Sequence, residues 1–188
     1  WSKLEEQGRV LVPTHPGYDQ SPELTDIDTV DDLAYLYLDL LDILNLQNVA
    51  IVGASLGGWI AAEMAIKSTA RIERLILTAP VGIKVGDRET RDIPDIFALA
   101  EEEVSGLLYH DPLSAQVDYA ALSVEDLTRL ARNREATALY GWEPYFHDPR
   151  LRNRMHRITV PTLILWGASD GFVTPQYYGR AYQKAIPG

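Results

Sequence analysis

The 188 residues contain no cysteine. That removes disulfides, thiolate nucleophiles and cysteine-based zinc sites, and says little about compartment. No apolar run approaches the roughly 18 residues of a membrane-spanning helix. An excess of basic side chains is also missing: Lys and Arg number 17 against 27 Asp and Glu, for a net charge of −10. A chain without a basic face has nothing to neutralise phosphates, which excludes a nucleic-acid partner. Repeats and low-complexity segments are absent, and no secretory leader is visible. Trp1 is not a natural start residue, so a leader upstream stays open and a cytoplasmic location is only the default expectation. What remains is ordinary for a globular domain with a real core: 46% hydrophobic and 23% charged residues.

The chain is organised around Asn48-Val49-Ala50-Ile51-Val52-Gly53-Ala54-Ser55-Leu56-Gly57-Gly58-Trp59. Val49 to Val52 read as a short buried strand, and Leu56 to Lys67 as a helix. The Gly53-x-Ser55-x-Gly57 pattern sits at the corner between them. Such a bare pattern occurs by chance in roughly one chain in fifteen of this length, so the flanking strand and helix carry its weight. A serine at that corner is a nucleophile elbow, a strained turn that lifts the hydroxyl above the carboxyl edge of a parallel sheet. Gly53 and Gly57 are expected because a side chain at either would clash in so tight a turn. The helix start behind Ser55 offers free N–H groups to a developing negative charge.

Taken in order, Trp1 to Gln7 reads as the end of a helix stopped by Gly8, and Arg9 to Val12 as a short strand. Pro13 to Pro22 is a loop dense in turn residues. Asp28 or Thr29 caps a helix to about Leu44, with Val30, Leu33, Tyr37 and Leu41 on its apolar stripe. After the elbow, Ile72 to Leu77 is another strand, and the alternation predicts an α/β fold with a mostly parallel sheet flanked by helices. From Val81 to about Ile158 the strand signal disappears. Helices are predicted over Ile93 to Tyr109, from a Ser123 cap to about Leu139, and from Asp148-Pro149 with Leu151, Met155 and Ile158 on one stripe. Val160 to Trp166 returns to strand, and Thr174-Pro175 opens a helix towards Ile186 before the linker-like Pro187-Gly188. The expected organisation is therefore a core over 1–80, an inserted helical cap over 81–158, and the core continued over 159–188. The cap carries Tyr109, Tyr119, Tyr140, Trp142, Tyr145 and Phe146, some of which are expected to line the entrance to the serine.

Three stretches carry a family resemblance: Val10-Leu11-Val12-Pro13-x-x-Pro16-Gly17 with Ser21, the elbow, and Val160-Pro161-Thr162-Leu163-Ile164-Leu165-Trp166-Gly167-x-x-Asp170. Together they resemble the capped serine hydrolases of the α/β-hydrolase fold, which include esterases, carbon–carbon bond hydrolases and haloperoxidase-like enzymes. The resemblance implies Ser55 as nucleophile, Asp170 as triad acid 115 residues later, and the Leu56 backbone N–H as half of an oxyanion hole. Ala79-Pro80 occupies the alternative acid position. It implies no cofactor and no metal, with a small molecule as substrate and an oligomeric state left open. The family's histidine lies beyond one further strand, past Gly188, and its first oxyanion loop lies before Trp1. The sequence thus reads as an internal piece of a longer hydrolase, with N- and C-terminal strands missing, that is expected to be inactive alone. If so, residues 9–12 and 49–52 are not neighbours but stand about 9–10 Å apart.

None of the four histidines sits where that base belongs. His15 matches a structural loop position, His110 and His147 fall in turns of the cap as surface or capping residues, and His156 lies in a solvated basic stretch with Arg150, Arg152, Arg154 and Arg157. A serine at the elbow argues against dehalogenase and epoxide hydrolase chemistry. The expected reaction is hydrolysis of a small, largely apolar ester or related acyl compound. The alternatives are a non-catalytic ligand receptor on the same fold, and acyl transfer to an acceptor other than water.

Overall fold

A computed structural model describes residues 2–6 and 8–187. Trp1, Gln7 and Gly188 lie outside the described residues, so the two ends of the first expected helix and the last residue of the linker-like terminus are not tested. The elements run α1 (Ser2–Glu5), α2 (Val30–Ile43), β1 (Val49–Ala54), α3 (Leu56–Lys67), β2 (Ile72–Thr78), β3 (Gly82–Ile83), α4 (Glu101–Leu108), α5 (Val124–Gly141), β4 (His147–Asp148), α6 (Leu151–Arg154), β5 (Thr162–Leu165) and α7 (Arg180–Ala185). A π-helical turn over Pro175–Gly179 leads into α7. The architecture is a parallel sheet with helices packed against it, as the alternation of strands and helices predicts.

The main sheet has the order β1-β2-β5, all parallel. Its last rung aligns Ala54, Thr78 and Leu165, so all three strands end at one edge. Helix α3 is buried along almost its whole length, from Gly58 to Ile66. Apolar all round, it belongs inside the molecule. Helix α2 covers it with Val30, Leu33, Ala34, Tyr37 and Leu41 and starts at Thr29, whose hydroxyl accepts the Asp32 N–H while the Asp32 carboxylate accepts the Thr29 N–H. This reciprocal cap satisfies two donors that a helix start leaves free. Ser123 likewise accepts the Asp126 N–H at the start of α5.

Several sequence-based expectations are corrected. Arg9 to Val12 is not a strand: no neighbour offers it a ladder, and Leu11 and Val12 are exposed. It does not pair with β1. The helix expected from Ile93 begins only at Glu101. The Tyr145 hydroxyl accepts the Ile96 N–H and donates to the Pro94 carbonyl, and the Asp95 carboxylate accepts the Phe97 N–H. These side chains take the backbone groups a helix would need. Strand structure does not vanish between 81 and 158, because β3 and β4 pair in parallel through Gly82–His147 and Ile83–Asp148. Two-residue strands are too short to leave a period in the sequence. The Tyr178 hydroxyl also fastens β3, accepting the Ile83 N–H and donating to its carbonyl. The third helix expected in this block stops after Arg154 and tightens into a 3₁₀ turn over Met155–Arg157, with Leu151, Met155 and Ile158 buried as the stripe required. The last strand spans only Thr162–Leu165.

Candidate active site

Ser55 follows β1 directly and has φ 51° and ψ −116°. A non-glycine residue there is strained by about 1–3 kcal/mol, which surrounding bonds must hold. Its N–H donates to the Thr78 carbonyl at 3.0 Å, and its own carbonyl accepts the N–H groups of Gly58, Trp59 and Val81. Both backbone groups are thus tied down, while the side chain is exposed and makes no capping bond. Leu56 and Gly57 occupy the first two positions of α3, where N–H groups have no intrahelical acceptor. They form the positive end of a buried twelve-residue helix, beside the serine.

The glycines divide their roles differently from expectation. A Cβ at Gly53 would lie 2.3 Å from the Gly57 carbonyl oxygen, so Gly53 is required. A Cβ at Gly57 would meet nothing within 4 Å, and the expected clash there is not found. The second tight position is Gly58, whose Cβ would lie 2.7 Å from that of Pro80. Helix α3 crosses the chain leaving β2 at Gly58, one residue beyond the motif.

Asp170 lies in the loop after β5. Its Oδ1 accepts the Phe172 N–H at 3.0 Å and the Val173 N–H at 2.9 Å. Its Oδ2 has no hydrogen-bond partner among the described residues. Burial pushes the Asp170 carboxyl above the ordinary carboxylate range, against the opposing pull of the Val173 and Phe172 N–H groups. Beyond the last rung, the Ser55 N–H bonds Thr78 and the Ala79 N–H bonds the Leu165 carbonyl. Ser55 and Asp170 therefore leave the same edge of the sheet with one strand between them, about 9–10 Å apart at the strand ends.

No histidine of the chain contacts Ser55 or Asp170 by hydrogen bond among the described residues. His15 is bonded to the Tyr37 hydroxyl, and burial lowers its pKa. His147 and His156 bond the Tyr145 and Asn153 carbonyls at 2.9 Å. His110 lies on the surface, as expected, and its Nδ1 is 3.0 Å from the Ser169 hydroxyl, next to Asp170. Residues 110 and 169 belong to separate segments, and no local pattern announces their contact. The aromatic residues also divide: Phe146 is buried, Trp142 half-exposed, and Phe97, Trp142, Tyr145 and Phe146 form a cluster whose Phe146 meets Phe172 edge-on. No cluster of His, Asp and Glu that could hold a metal occurs among the described residues, and none of the described helices is long and apolar enough to cross a membrane.

The chain is similar to known proteins. An uncharacterized protein of Mycobacterium tuberculosis is 33% identical over 215 residues, covering 100% of this chain and 61% of the relative. A pimeloyl-[acyl-carrier protein] methyl ester esterase of Photobacterium profundum is 29% identical, covering 84% of this chain and 64% of its own. Among solved structures, a hydrolase from Oleispira antarctica superimposes with a TM-score of 0.71 at 21% identity, over 100% of this chain and 72% of that one. The chain thus spans about three fifths of the length of these two curated relatives. A family model described as the alpha/beta hydrolase family matches residues 1–188 from end to end, and the chain belongs to that family.

Proposed function

We propose that these residues form the greater part of a serine hydrolase acting on a small, largely apolar ester or a related acyl or carbon–carbon substrate. A histidine outside the 188 residues takes the Ser55 proton as Oγ attacks the carbonyl carbon. The resulting oxyanion is held by the Leu56 N–H and a second N–H. Asp170 orients the imidazole through its free Oδ2 and stabilises the imidazolium. The leaving group departs with that proton, an acyl-serine forms, and water activated by the same histidine releases the acid. The observation that carries the reading is Ser55 itself: exposed, in the left-handed region, at the start of a buried helix. The esterase name of one relative and the hydrolase name of another, a 2-hydroxy-6-oxononadienedioate/2-hydroxy-6-oxononatrienedioate hydrolase of Cupriavidus pinatubonensis at 27% identity, support a hydrolytic reaction.

Residues 81–158 serve as a cap over this site. Support comes from α5, which is stitched to the loop after residue 12: the Tyr18 and Tyr140 rings stack, the Asp19 N–H donates to Asn133, and Arg132 donates to the Ser21 carbonyl. The 188 residues alone are expected to be close to inactive, because losing the base costs several orders of magnitude. The test is release of p-nitrophenol from short-chain esters by the full-length protein. Ser55→Ala is expected to lower kcat by at least about a thousandfold. Unchanged turnover in that variant contradicts the reading.

A further inference from the structure

The loop carrying Asp170 has three sets of anchors. On the core side, the Trp166 indole N–H donates to the Val173 carbonyl at 2.6 Å, and Phe172 packs edge-on against Phe146. The third set comes from the end of α4. The Gly171 N–H donates to the Leu107 carbonyl at 3.0 Å, and the His110 imidazole is hydrogen-bonded to the Ser169 hydroxyl at 3.0 Å. These two contacts bracket Asp170 from its immediate neighbours on either side. The fit at Gly171 is close, since a Cβ there would lie 3.3–3.4 Å from Leu107 atoms. Helix α4 has no fully buried residue, and Leu107 is its residue packed against the core, so its polar contacts to the loop of Asp170 gain weight.

We propose that the C-terminal end of α4 clamps the acid loop, with His110 acting through Ser169 as a positioning residue for Asp170. The inference rests on the hydrolase reading above. It makes the alignment of the acid depend on a segment of the cap region, 59 residues away in sequence. His110 is the titratable side chain in hydrogen-bond contact with the loop, and it touches neither Ser55 nor the Asp170 carboxylate.

The experiment uses full-length protein with His110→Ala, His110→Asn and Ser169→Ala, all at exposed positions where folding is not at stake. His110→Ala and Ser169→Ala are each expected to lower kcat about fivefold with KM unchanged, the effect of one lost hydrogen bond. The double variant is expected to be no worse than either single one. A slackened Asp170 stabilises the imidazolium less, so the acid limb of the pH–kcat/KM profile is expected to move to lower pH. His110→Asn, which keeps a polar atom near the position of Nδ1, is expected to restore both. Amide exchange over residues 167–173 is expected to quicken in His110→Ala. Wild-type kcat with an unmoved limb overturns the clamp. So does a loss that His110→Asn fails to rescue while the limb stays in place. Labelling of wild-type Ser55 by a fluorophosphonate in the same preparations separates the two claims: labelled serine with an unmoved limb overturns the clamp alone, and an unlabelled serine overturns the hydrolase reading and the clamp with it.

Discussion

Gly53, Gly57 and Gly58 stand within six residues and meet three different surroundings. Gly53→Ala drives a methyl into the Gly57 backbone, and Gly58→Ala drives one into Pro80. Each is expected to cost about 1–3 kcal/mol, read as a lower denaturant midpoint. Gly57→Ala enters open space at a helical position with ordinary φ, so it is expected to be neutral or to stabilise by up to about 1 kcal/mol. A destabilised Gly57→Ala would show that this part of the elbow is misread. The motif and its serine were legible in the sequence because strand, corner and helix are local. The need for Gly53 was legible too, but the second tight position was not, because the obstructing atoms at Gly58 belong to Pro80, brought there by the crossing of β2 and α3.

At the scale of elements, helices α2, α3 and α5 were legible to within a residue or two, since each has a cap or an unbroken apolar pattern. Arg9–Val12 and Ile93–Ala100 were not. Their local preferences were overruled by the lack of a ladder partner in one case and by Tyr145 and Asp95 in the other. The segment after β3 is held instead by Asp92, a buried carboxylate that accepts the Val85 and Gly86 N–H groups, the Lys84 ammonium and the Tyr177 hydroxyl. Burial works against its charge, but these four donors prevail and hold the carboxyl below the ordinary carboxylate range. A depressed folded-state pKa contributes stability that is present above the unfolded value, near pH 4, and lost as pH falls through the folded one. Asp92→Asn is therefore expected to lower the unfolding free energy at pH 7 by about 2 kcal/mol for the weakened donors, read from urea denaturation, and to flatten the acid decline. An acid limb as steep as that of the wild type would contradict this role. Amide exchange offers a second check: α4, with no buried residue, is expected to exchange faster than α3, which is buried from Gly58 to Ile66.

Seen whole, the molecule is a three-stranded parallel sheet with both edges unpaired among the described residues. Val52 and Leu163 are each 52% exposed on its strands. Parallel sheets are normally covered on both faces, and open edges invite pairing with other chains. The 188 residues produced alone are accordingly expected to bind a hydrophobic dye such as ANS and to self-associate, and the full-length protein much less so. What the fold adds to the sequence is convergence: it brings the ends of β1 and β5, which lead into Ser55 and the loop of Asp170, to one sheet edge, and it joins that loop to the end of α4 through Gly171–Leu107 and Ser169–His110. The central claim is that Ser55 is a nucleophile, and peptide mapping of the full-length protein after exposure to a fluorophosphonate tests it most directly. A single adduct on the peptide containing Ser55, abolished in Ser55→Ala and slowed in Asp170→Asn, is the expected result. An unmodified Ser55 peptide, or an adduct that persists elsewhere in Ser55→Ala, would contradict the account.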